Sequence, residues 1–137
     1  MTRETVDMLV AAALEARRSS YCPYSHFAVG AALLCRDGTL YTGANIECAS
    51  HTPTVCAERV AFFRAVHEGK RSFEAIAVVG GGEGESIDFA CPPCGVCRQV
   101  MAEFCGGDFE IILDGEGGCR VLTLAELLPH GFDKNYL

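Results

Sequence analysis

Basic charge is scarce in this chain. Its 137 residues hold 11 Lys and Arg against 18 Asp and Glu, giving a formal charge of −7 and a pI near 5.0. Broad nucleic-acid binding needs clustered cations along a phosphate track, so the balance argues against it. A small nucleoside without phosphate is compatible with an acidic protein. Long apolar runs are missing as well: no stretch approaches the roughly 18 to 20 residues that span a bilayer. Glu4 and Asp7 interrupt the start, and Val6 to Leu14 is periodic, not a continuous apolar block. No export signal is read there, and a cytoplasmic location is expected. His26, His51, His67 and His130 have no ligand spacing, and no internal repeat occurs at a useful period.

Cysteine, by contrast, is abundant, with nine in all. An odd count without an export signal, in a chain long enough to bury a core, points to reduced thiols and away from a disulfide framework. Cys22, Cys35, Cys48, Cys105 and Cys119 are read as packing residues, the others as candidate metal ligands. The length fits one domain over residues 1–137.

Apolar spacing at Val6, Leu9, Val10, Ala13 and Leu14 predicts a helix from about Thr5 to Ser20, ended by the Pro23 region. Strands are expected at Ala28–Cys35 and Thr39–Asn45 around an Asp37-Gly38 turn, then a loop from Ile46 to Val55. A helix over Cys56–Glu68 would turn Val60, Phe63 and Val66 or Phe62 inward. A buried strand at Ala75–Val79 precedes a glycine-rich run, Gly80 to Glu85, read as a flexible loop. Pro93 stands before a helix at Cys94–Phe104. Strands at Phe109–Leu113 and Cys119–Leu122 and a capping box at Thr123-Leu124-Ala125-Glu126 complete the order. The succession α-β-β-α-β-α-β-β-α predicts an α/β fold, a central sheet covered by helices on both faces.

Chemistry concentrates in Cys56-Ala57-Glu58-Arg59 and Pro93-Cys94-Gly95-Val96-Cys97, each at a predicted helix start. A Cys-x-x-Cys on a first helical turn directs both sulfurs to one metal. Unpaired N–H groups and the helix dipole favour thiolate there. Three thiolates from two facing helix starts leave the fourth tetrahedral position of zinc open, the catalytic arrangement. Glu58 lies near that metal without having to ligate it. Cys91-Pro92-Pro93-Cys94 is a second Cys-x-x-Cys, but its two intervening prolines make it a poorer helical chelate, so Cys94 with Cys97 is preferred.

This combination resembles the zinc deaminase signature, in which a first ligand is followed by x-Glu and later by Pro-Cys-x-x-Cys. Nearly end to end, the chain is similar to the small, homotetrameric cytidine deaminases. The segments that carry the likeness are Tyr24-Ser25-x-Phe27-x-Val29-Gly30-Ala31-Ala32-Leu33, Gly43-Ala44-Asn45-Ile46-Glu47, Cys56-Ala57-Glu58-Arg59, Pro93 to Val100, and Glu126-Leu127-Leu128-Pro129-x-x-Phe132. The resemblance implies a three-layer α-β-α sandwich with a five-stranded mixed sheet and one Zn²⁺ per chain, held by Cys56, Cys94 and Cys97. Glu58 would be the catalytic proton carrier. Water activated by zinc would attack C4 of cytosine while Glu58 protonates N3 and then the departing amine. Phe27 would pack against the base, Asn45 and Glu47 would bind the ribose 3′-hydroxyl, and the backbone near Ala57 would bind the pyrimidine carbonyl. Arg59 and Gln99 would hydrogen-bond the ligand sulfurs, offsetting the net negative charge of three thiolates on zinc. Phe132 would reach a neighbouring subunit's site, so that a homotetramer shares its active sites across interfaces.

Two departures stand out. Cys48 and His51 occupy positions where that family usually has Asn and Tyr, the latter binding the sugar 5′-hydroxyl; His51 is a shorter donor for the same role. The stretch between Val79 and Pro93 is a few residues longer than usual. The metal chemistry is unaffected, while related aminopyrimidines (blasticidin-type nucleosides, modified cytidines, an isocytosine-like base) remain alternative substrates. A non-catalytic zinc protein with Cys91 as fourth ligand is the other alternative.

Overall fold

The computed structural model describes residues 1–137. Its elements are α1 (Arg3–Arg17), β1 (Phe27–Cys35), β2 (Leu40–Ala44), α2 (Ala57–His67), β3 (Phe73–Gly82), α3 (Gly95–Phe104), β4 (Glu110–Gly115), β5 (Gly118–Thr123) and α4 (Leu124–Leu127), followed by a 3-10 turn at Lys134–Tyr136. The predicted order therefore holds. The Thr123–Glu126 capping box is formed, its hydroxyl and carboxylate bonding each other's backbone N–H.

The five strands run β2-β1-β3-β4-β5 in one mixed sheet, in which β3 and β4 are parallel and the other pairs antiparallel. The central strands are apolar at successive positions because both faces are covered. Pleating sends Ala31, Leu33, Ile76, Val78, Ile111 and Leu113 to one face, where Ala57, Ala61, Phe62 and Met101 of α2 and α3 meet them. Ala32, Leu34, Ala75, Ala77, Val79 and Ile112 point the other way, onto Val6, Leu9, Val10 and Ala13 of α1. This is the expected three-layer α-β-α sandwich. No helix is long and apolar enough to cross a membrane.

Three expectations need correction. The run Gly80-Gly81-Gly82 is not a loop but the end of β3, paired in register with Val29, Ala28 and Phe27 of β1. On α2, Phe62 is buried while Phe63 is half-exposed and Val60 lies at the edge; the inward face is otherwise Ala57, Ala61 and Ala65. Small residues face inward because α2 lies directly on the sheet: a Cβ at Gly43 would stand 2.4 Å from the Ala57 carbonyl oxygen and 2.7 Å from the Ala61 nitrogen. Only glycine permits that approach, and it seats the first turn of α2. Finally, Cys119 is an exposed residue of the edge strand β5, its thiol donating to Asp114 Oδ1 at 3.3 Å, and not a packing residue.

One end of the sheet gathers the start of β1 at Phe27, the exit of β2 at Asn45 and the last residues of β3. Helices α2 and α3 both begin at that end.

Candidate metal centre

Cys56 and Cys94 are the N-cap residues of α2 and α3, and neither helix start has a side-chain cap bond. The capping position that Ser, Thr, Asp or Asn usually fills thus carries a sulfur beside unpaired N–H groups. Cys97 follows one turn into α3 and is fully buried. The three Sγ atoms lie within 4.8 Å of one another, with Cys56–Cys94 at 3.8 Å and Cys94–Cys97 at 3.5 Å. Zn–S bonds of about 2.3 Å at tetrahedral angles put sulfurs about 3.8 Å apart, so the trio fits zinc as it stands. A fourth ligand from Cys, His, Asp or Glu is absent from the group. Cys91 is not part of it: its sulfur rests on β3, 2.8 Å from where a Cβ on Gly80 would be. Burial pushes the Cys91 thiol up to about 11, the range of an inert thiol.

Arg59, one turn from Cys56, donates from a guanidinium nitrogen to Cys56 Sγ at 3.4 Å. Hydrogen bonds from the Cys97 and Cys94 thiols and from Arg59 bring the Cys56 thiol down to about 5, against the opposing effect of burial. Cys97, giving its hydrogen to Cys56, is held far up.

Glu58 is the one buried charged residue of the chain, 4% exposed. Burial raises its carboxyl to about 7, and its Oε1 has no partner within the protein. A buried carboxyl oxygen without a partner is costly, and this carboxyl borders a cavity of about 330 Å³, at the small-ligand end of the usual range. Phe27, Asn45, Glu47, Cys56, Ala57 and Cys94 border the same cavity, together with Ser25, Thr54, Cys91 and Pro92. Most of the predicted site residues are therefore brought together.

Asn45 and Glu47 are held rigidly. The Asn45 amide donates to the Phe27 carbonyl at 2.8 Å and accepts from Val29 N at 2.9 Å and Ser20 Oγ at 2.5 Å, leaving its second N–H for other partners. Glu47 accepts from the backbone N–H groups of Tyr24 and Ser25, each at 3.1 Å, and from the Ser25 hydroxyl. The Ser25 hydroxyl and backbone hydrogen bonds keep its carboxyl below the usual carboxylate range.

Three predicted residues lie elsewhere. Gln99 does not reach the sulfurs: it is exposed, and its amide donates to the Phe132 carbonyl at 2.7 Å. Phe132 lies outside the cavity, 54% exposed and stacked on Tyr136. His51 adopts a left-handed backbone, φ 64°, and borders a second cavity of about 290 Å³ with Tyr24, Ser25, Glu47 and Thr54. Sharing Ser25, Glu47 and Thr54, the two cavities adjoin. Sequence reasoning missed Ser25 and Thr54. A Ser-x-Phe start of β1 carries no chemical signal until the fold places its hydroxyl on Glu47. It also missed Arg17, whose guanidinium spans the Ala28, Gly82 and Glu85 carbonyls and ties α1 to the ends of β1 and β3.

Residues 3–112 match the family model described as the cytidine and deoxycytidylate deaminase zinc-binding region. The chain is 50% identical over 133 residues to a cytidine deaminase of Sporosarcina psychrophila, covering 96% of this chain and 94% of the relative. With a cytidine deaminase of Halalkalibacterium halodurans it shares 49% over 126 residues, 91% of this chain and 92% of that one. Among solved structures, the cytidine deaminase of Burkholderia pseudomallei superposes with a TM-score of 0.84 at 44% identity, covering 96% of this chain and 100% of that chain.

Proposed function

The chain belongs to the cytidine and deoxycytidylate deaminase zinc-binding family, and on that premise we propose that residues 1–137 form one catalytic domain deaminating cytidine and 2′-deoxycytidine to the uracil nucleosides and ammonia. One observation carries this reading: Glu58, buried and with one carboxyl oxygen lacking a protein partner, borders a nucleoside-sized cavity together with Cys56 and Cys94, two of three sulfurs spaced for zinc.

Zinc held by Cys56, Cys94 and Cys97 supplies the polarisation that makes water nucleophilic near neutral pH. The protein does the rest. Glu58 takes a proton as water adds at C4 of the cytosine ring and delivers it to N3. It then takes the second proton from the new C4 hydroxyl and passes it to the amine; the C4–N bond breaks as the C4 carbonyl forms, and ammonia leaves. Phe27 packs the base, the backbone near Ala57 meets the pyrimidine carbonyl, and Asn45 and Glu47 receive the ribose hydroxyl. Arg59 offsets the thiolate charge that would otherwise weaken the metal as a Lewis acid.

Neither the Glu58 cavity nor the adjoining one contains a Lys or Arg, and Glu47 borders both. A nucleoside is therefore preferred over its 5′-phosphate. Ultraviolet assays of the zinc-loaded protein should give rapid turnover of cytidine and 2′-deoxycytidine. The kcat/KM for deoxycytidylate should be on the order of 100-fold lower. Equal efficiency on the nucleotide would overturn the nucleoside assignment, and turnover of neither nucleoside would overturn cytidine as the substrate and move the search to other aminopyrimidines.

We further propose that the working form is a homotetramer in which Phe132 completes a neighbour's site. Phe132 lies outside its own chain's cavity, and Ile46, Phe63 and Val96 add apolar surface at 43%, 49% and 58% exposure. Light scattering should return the mass of four chains. Phe132→Ala should keep that mass yet raise KM about tenfold, the effect of a single aromatic anchor. A monomeric wild-type protein with full activity would remove the proposal.

A further inference from the structure

The segment between β3 and α3 carries one large ring, Phe89, 56% exposed. An exposed ring of this kind is often a bystander. Phe89, however, stacks on Phe27, with centroids 6.3 Å apart and planes 25° from parallel. Phe27 borders the Glu58 cavity and Phe89 does not, so the second ring supports the first from outside the lumen.

The backbone around Phe89 is fixed independently of that stack. A Cβ at Gly115, the last residue of β4, would stand 2.4 Å from the Phe89 carbonyl carbon and from Ala90 N. Glu116 N donates to the Asp88 carbonyl at 3.2 Å. The β4–β5 turn thus clamps the chain on both sides of Phe89. The Phe27 ring also rests on bare backbone, 3.1 Å from where a Cβ on Gly80 would be. It is therefore held between β3 and Phe89.

We propose that Phe89 is a positioning residue for substrate binding, holding the Phe27 ring in the orientation that packs the pyrimidine. The proposal rests on the deaminase reading in so far as Phe27 meets the base. Aromatic pairs contribute through specific offset geometry beyond the area they bury, so losing one ring loosens the other without touching the metal or Glu58.

The test uses the zinc-loaded protein. Phe89→Ala should raise KM for cytidine about fivefold, equal to about 1 kcal/mol, with kcat within about twofold and zinc still at one per chain. Phe89→Leu should restore part of the loss. Because Phe89 acts through Phe27, adding Phe89→Ala to Phe27→Ala should change KM no further. An unchanged KM in Phe89→Ala, or independent multiplicative effects in the double variant, would overturn the proposal.

A second arm needs no turnover. The chain has no Trp, so Phe89→Trp places a single emitter beside Phe27. Its fluorescence should shift as uridine is titrated to ~5 mM, above the usual KM range, and the shift should vanish with Phe27→Ala. Wild-type protein inactive on both nucleosides would defeat the cytidine assignment alone. The uridine titration would then decide Phe89 separately, a flat trace overturning it.

Discussion

Glu58→Gln should lower kcat for cytidine by on the order of 10,000-fold while zinc stays at one per chain and thermal stability is unchanged. The side chain is 4% exposed, and Gln keeps its shape, so the first turn of α2 need not move. The amide can donate a hydrogen bond but cannot accept and release the two protons that must move, one from water to N3 and the other from the C4 hydroxyl to the amine. General acid–base catalysis at a single transfer is worth about 100- to 10,000-fold, and here one carboxyl serves successive transfers. Glu58→Asp retains the chemistry but withdraws it by one methylene, so its activity should fall between the two. Metal analysis alongside single-turnover kinetics checks both statements. A zinc-loaded Gln variant working at near wild-type rate would remove Glu58 from the mechanism.

Cys97→Ala should abolish stoichiometric zinc and, with it, activity. This sulfur is the buried member of the trio and the one set inside a helical turn, so its loss leaves two ligands on N-cap residues and no chelate within α3. The sandwich itself should survive, because neither hydrophobic layer counts one of the three cysteines among its members. What disappears is the bond linking the starts of α2 and α3. A metal present at about 1,000 times its Kd contributes about 4 kcal/mol. Cys97→Ala, and wild-type protein stripped with a chelator, should therefore melt on the order of 10 °C lower than the loaded enzyme. Atomic absorption and scanning calorimetry read the two effects. Full zinc occupancy in the variant would mean that the ligand set is wrong.

The reach of sequence reasoning followed where side chains carry the signal. Cysteines directly before two apolar-periodic segments marked Cys56 and Cys94 as helix starts, and the Thr123–Glu126 box marked α4, since these features act within one turn. The misreadings fall where tertiary contact overrides local preference. Gly80–Gly82 has no side chain to announce a strand, and only pairing with Phe27–Val29 makes it one. From sequence alone, α2 would turn Val60, Phe63 and Val66 or Phe62 inward, yet the close seat on Gly43 favours alanines, and of the two rings only Phe62 is buried. Gln99, which the family resemblance puts at the sulfurs, donates instead to the Phe132 carbonyl that the C-terminal segment offers. Phe89 was invisible because its neighbour in space is 62 positions away in sequence (89 − 27).

The bare end of β3 also separates two kinds of change that most pockets entangle. With no side chains of its own at Gly80, the sheet offers a plain backing, and the surface facing the ligand is supplied by Phe27 and Cys91 laid over it. Residues of the 83–92 segment can vary in size or polarity without altering a strand, the cysteine trio or Glu58. One wall of the cavity, at Cys91 and Pro92, can therefore drift while the strand behind it is left intact.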